Sequence, residues 1–105
     1  GDTIRFEAVT SNRALIYLEN TDHVTIRNFK LVSTAANFGH GIHLNGSDSI
    51  SIIGNRIDLS AVTTTTATQT NGIIASASPS AFTATTAQAL FIDSNIIIGG
   101  NSGIR

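Results

Sequence analysis

One apolar frame occurs three times in this chain, and it restricts the fold more than any other feature. Val24, Ile26, Phe29 and Leu31 form the first copy. Ile50, Ile52, Asn55 and Ile57 form the second, and Leu90, Ile92, Asn95 and Ile97 the third. Each copy has the offsets 0, +2, +5 and +7. The frame also extends backwards. Ile16 and Leu18 precede Val24 by eight and six residues, and Ile42 and Leu44 precede Ile50 by the same amounts. A glycine register runs alongside, with Gly41-Ile42, Gly72-Ile73 and Gly103-Ile104 at intervals of 31 residues.

Apolar residues two apart point to one face of a strand. One coil therefore reads as a strand (Ile42, Leu44), a turn, a strand (Ile50, Ile52), a turn at Asn55, a strand (Ile57, Leu59) and a return. A single coil cannot bury its own apolar face. Coils stacked about 4.8 Å apart bury it in one continuous core. Val24 then stacks on Ile50 and Leu90, and Ile26 on Ile52 and Ile92. Asn55 and Asn95 share one turn position. An asparagine there can adopt the left-handed backbone and bond its amide to the next coil, forming a ladder. Phe29 stands at the same place in the first coil, as a stacked aromatic where the ladder ends.

The pattern predicts an all-β fold, a right-handed single-stranded parallel β-helix of about three to four coils, the pectate-lyase-like solenoid. A β-sandwich does not predict one frame in three segments. A left-handed β-helix prefers hexapeptide repeats, which are absent. The uneven spacing comes from two Thr-rich insertions read as surface loops, at 61–70 and 77–88. Residues 1–105 thus form one solenoid segment. Ile4 and Phe6 resemble the tail of an earlier coil, Ile104 the start of a later one, and neither end shows a charged cap. The chain is expected to be a piece of a longer solenoid, with adjacent coils of its parent as neighbours. Two substitutions test the register: Ile52→Asp should prevent folding, and Thr65→Asp should change stability little.

Composition supports the strands and narrows the partners. Ile, Val and Thr favour strands, and Gly and Asn supply turns. Charged residues are 12% of the chain, with net charge −1 and six scattered basic residues. That argues against nucleic acid, which needs clustered Lys and Arg. No run of apolar residues is long enough for membrane insertion as a helix. Cysteine is absent, which removes thiol chemistry and disulfides.

Candidate sites are few. Asp22 and Asp48 fall two residues before Val24 and Ile50, so stacking brings them roughly 5 Å apart. Such a pair can hold calcium, with Asn20 or Ser47 helping. It also has the separation of a retaining glycosidase pair. Turn chemistry offers a third role, since Asn-Thr-Asp and Gly-Ser-Asp are turns in which Asp bonds its own backbone. No cofactor is required, and calcium is the one these residues suggest. On the first strand, His43 should face outward above Tyr17. With Ile74 they make a stripe able to contact carbohydrate, or a solvated sheet face. A zinc site would need a third ligand beside His40 and His43, and none has the spacing. The Thr63–Thr66 run lacks the Thr-x-Thr repeat of an ice-binding face.

Asn20-Thr21-Asp22 and Gly39-His40-Gly41 resemble polygalacturonase triplets. That family also carries a paired Asp-Asp and an Arg-Ile-Lys, both absent here, so no catalytic residue is carried over. The phrases from Ala14 to Phe29 and from Asp48 to Ile57 resemble parallel β-helix repeats of very large bacterial surface proteins of the Bacteroidetes type, some exported by type IX secretion. The resemblance implies an extracellular or cell-surface location and a scaffold or adhesin-like role, with polysaccharide or surface glycan as partner. The alternatives are a non-catalytic piece of a polysaccharide lyase or glycoside hydrolase, and a phage tail-spike segment.

Overall fold

In the computed structural model every paired strand runs parallel to its neighbours. The structure describes residues 2–7, 13–64, 69–78, 85, 87–100 and 102–105. The strands are β1 (Thr3–Phe6), β2 (Ala14–Glu19), β3 (Thr25–Arg27), β4 (Lys30–Ser33), β5 (Gly39–Asn45), β6 (Ser51–Ile53), β7 (Arg56–Leu59), β8 (Thr70–Ala75), β9 (Phe91–Asp93), β10 (Ile96–Gly99) and β11 (Ser102–Ile104). A first sheet has the order β2-β5-β8-β11, a second β3-β6-β9, and a third β1-β4-β7-β10. Each sheet takes one strand per coil, so the chain climbs one level with each circuit. This is an all-β parallel solenoid of about three turns, with no helix among the described residues.

The apolar frame falls into register as the spacing requires. Ile26 pairs with Ile52 and Ile52 with Ile92. Leu31, Ile57 and Ile97 form a second column, and Ile16, Ile42, Ile73 and Ile104 a third. Leu31, Ile42, Leu44, Ile50, Ile52, Ile57 and Leu59 are fully buried. Each such side chain contributes about 1.5–3 kcal/mol relative to leaving it in water.

The asparagine ladder forms, but it points back down the solenoid. Asn55 Nδ2 donates to the Ile26 carbonyl (2.9 Å), and its Oδ1 accepts from Phe29 N (2.9 Å). Asn95 does the same for the coil beneath it, donating to Ile52 O (2.8 Å) and accepting from Asn55 N (2.9 Å). Each amide thus satisfies two backbone groups that the preceding turn cannot pair. The left-handed conformation belongs to the residue before that turn position: Asn28 before Phe29 (φ 58°), Gly54 before Asn55 (φ 64°) and Ser94 before Asn95 (φ 57°). The asparagine itself reaches across the coil interval, so the reversal falls one position earlier than expected.

Two boundaries also shift. β5 and β8 begin at Gly39 and Thr70, two residues ahead of the glycine register, so Thr70 belongs to a strand and not to the preceding loop. Gly41 explains the register. A Cβ there would lie 2.5 Å from Ile57 Cγ2, so Gly41 faces the interior, and so does the core residue Ile42. At Gly72 a Cβ would lie 2.5 Å from the Gly103 carbonyl oxygen and 2.7 Å from Ile97 Cγ2. Alternation slips by one at this column, and only glycine leaves room for the slip. The connection after β7 is tied down by Val62, which joins the core, and by Thr63 N donating to Ala36 O (2.8 Å). Thr65 and Thr66 of the threonine run lie outside the described residues.

Candidate functional site

Strand residues three apart ordinarily face opposite ways. The slip at Gly41 brings His40 and His43 to the same outward face of β5, with ring centroids 5.9 Å apart. The neighbouring strand repeats this with Asn71 and Ile74, which pair with His40 and His43. Asn71 Nδ2 donates to His40 Nδ1 (3.4 Å). His40, Asn71, His43 and Ile74 are all buried. The expected stripe of Tyr17, His43 and Ile74 therefore exists as a column, but most of it is not a solvated face. His43 is 2% exposed, and Tyr17, at 45%, is the part open to solvent.

His43 is closed over where the chain leaves β8. Its Nε2–H donates to the Ser76 carbonyl (2.7 Å), while Ser76 N donates to Leu44 O (2.9 Å). Burial lowers the His43 pKa from its ordinary value, against a smaller opposing pull from the Ser76 carbonyl. The neutral ring then supports Tyr17, whose ring centroid is 4.8 Å away at 50°.

Around Tyr17 the first sheet offers polar groups. Asn45 Nδ2 donates to the Tyr17 hydroxyl (3.0 Å). Asn45 pairs in register with Glu19, which is exposed on the same side of β2 as Tyr17. The result is an exposed aromatic ring on a buried histidine, edged by an amide and a free carboxylate. Thr85 Oγ1 braces the amide from the connection after β8, donating to Asn45 Oδ1 (3.0 Å) and accepting from Gly46 N (2.7 Å).

Asp22 and Asp48 occupy one position of successive coils. Asp22 Oδ1 accepts from Asp48 N (2.9 Å), and Asp48 Oδ1 accepts from Gln88 N (2.8 Å). Both carboxylates bond the backbone of the coil above and not their own, and each of these positions is followed by a left-handed residue (His23, Ser49 and Ala89). Each keeps a second oxygen able to accept. Among the described residues no three His, Cys, Asp or Glu side chains come together as a metal-binding group. Asp58 serves a local turn, its pKa lowered chiefly by the Ser60 hydroxyl and then by the Ser60 amide.

Two contributors carry no strong sequence signal. Ser47 donates to Leu18 O (3.0 Å) and accepts from Thr21 N (3.2 Å), doing at the first turn what asparagine does at the second. Thr21 at the same column one coil earlier was the available clue. Thr85 lies in a Thr-rich insertion where every threonine looks alike. Arg13, buried by the strand start, packs its guanidinium over the Phe38 ring at 4.4 Å. No family model, curated protein or solved structure matches this chain.

Proposed function

We propose that this solenoid is a structural and binding segment of a secreted or cell-surface bacterial protein of the Bacteroidetes type, adhesin-like, and that it contacts glycans at Tyr17. The observation that carries the reading is the exposed Tyr17 ring, held by buried His43 and flanked by Asn45 and Glu19. A sugar presents a C–H face to an aromatic ring and hydroxyls to amide and carboxylate oxygens, and both kinds of partner stand together here. The reading takes the hand of the solenoid as right-handed, the hand of nearly all parallel strand crossovers. It also takes neighbouring coils of a larger parent as partners, covering exposed Phe91, Ile96 and Ile104 on β9, β10 and β11. The second oxygens of Asp22 and Asp48 would suit a calcium ion bound with help from such neighbours.

The test is a titration of the protein with neutral and acidic oligosaccharides, followed by amide chemical shifts. Shifts centred on Tyr17, Glu19 and Asn45, lost in Tyr17→Ala, are the expected result. Binding unaffected by Tyr17→Ala would remove the site. Release of reducing sugars or of unsaturated products would replace the binding role with an enzymatic one.

A further inference from the structure

We propose that Asn45-Gly46 is a self-modifying site, at which Thr85 catalyses closure of the asparagine side chain onto the backbone to give a succinimide. The inference stands on the geometry of these three residues and is independent of the glycan reading. Gly46 N–H donates to Thr85 Oγ1 at 2.7 Å, and Thr85 Oγ1–H donates to Asn45 Oδ1 at 3.0 Å. One hydroxyl therefore touches the two atoms whose protons change as Gly46 N attacks Asn45 Cγ. As the N–Cγ bond forms, Thr85 takes the proton from Gly46 N and gives its own to Oδ1, leaving a neutral tetrahedral centre. That hydroxyl proton then passes to the side-chain nitrogen. The carbonyl re-forms, the Cγ–Nδ2 bond breaks, and ammonia leaves. Nδ2 lies 3.0 Å from the Tyr17 hydroxyl, on the exposed side, where ammonia can escape. Water hydrolyses the ring to an aspartate or an isoaspartate, adding a carboxylate beside Glu19.

Gly46 is suited to this role. It has φ +64° and lacks the Cβ that would hinder attack. The chain carries its own control in Asn71-Gly72. Asn71 is fully buried in β8, which pairs with strands on both sides, and its amide is bonded to His40. The same dipeptide is thus held open to reaction at one place and locked at the other.

The folded protein is incubated at neutral pH, and peptides spanning both sites are followed by mass spectrometry. The Asn45 peptide is expected to gain about 1 Da, with isoaspartate present, while the Asn71 peptide stays unchanged. The Asn45 reaction should run faster in the folded protein than in the chain unfolded in urea. Thr85→Val should slow it on the order of tenfold. Thr85→Ser, which keeps the hydroxyl, should retain the rate. Slower reaction folded than unfolded, or faster reaction in Thr85→Val, would overturn the proposal, because the same bonds would then be protective.

Discussion

At the scale of single residues, the side chains that matter most are those that serve another coil. Asn55 is 1% exposed and holds both the Phe29 amide and the Ile26 carbonyl. Removing it strands two backbone groups, each costing about 1–3 kcal/mol when buried without a partner. Asn55→Ala should therefore lower the unfolding free energy by about 2–4 kcal/mol in urea denaturation. Asn95→Ala should cost less, because Asn95 is only half-buried. The ladder was legible in the sequence because one residue type recurs at one offset. The left-handed position beside it was not, since Asn28, Gly54 and Ser94 differ in type. Only their shared capacity for that conformation unites them. The Asp22 and Asp48 column was legible as a column, but not the direction of its bonds, because Asn-Thr-Asp and Gly-Ser-Asp suit an aspartate that bonds its own turn equally well.

Strands β5 and β8 show what spacing can and cannot reveal at the next scale. Their inward columns follow from alternation. Their outward faces do not, because the slip at Gly41 and Gly72 places His40 beside His43 and Asn71 beside Ile74, and the turn at Ser76 then covers His43. The intervals of 31 residues between the glycines were the visible sign, without showing that alternation breaks there. The buried His43 has a measurable consequence. Its pKa is lowered in the folded state, so the unfolded chain takes up the proton first as pH falls. The stabilisation from neutral His43 is complete above its ordinary value of 6.5 and declines as pH drops from there toward the lowered folded value. Thermal melts should show the midpoint falling between neutral pH and pH of about 5, and His43→Gln should flatten that slope.

Across the whole molecule, the columns of aliphatic side chains tie the coils together. Ile52 is fully buried between Ile26 and Ile92, so Ile52→Asp places a charge in a column with no water and no partner. It should cost about 4 kcal/mol or more, enough to abolish the cooperative circular-dichroism transition. Ile53 stands one residue further on, half-buried and in register with Arg27 and Asp93 on the opposite face. Ile53→Asp should leave the protein folded. Similar melting of the two variants would refute the register. The fold was legible at this scale because stacking repeats the same demand coil after coil. The surface around Tyr17 was legible only in part, because Thr85 comes from an insertion with no counterpart in the other coils.

The backward reach of the asparagine ladder gives assembly a polarity. Asn55 and Asn95 each complete a turn synthesised before them, as does Ser47. A coil emerging from a ribosome finds its template already made. It then becomes the template for the next one. Growth in that order resembles laying courses on a wall, where the newest course always has its unfilled bonds facing the direction of travel.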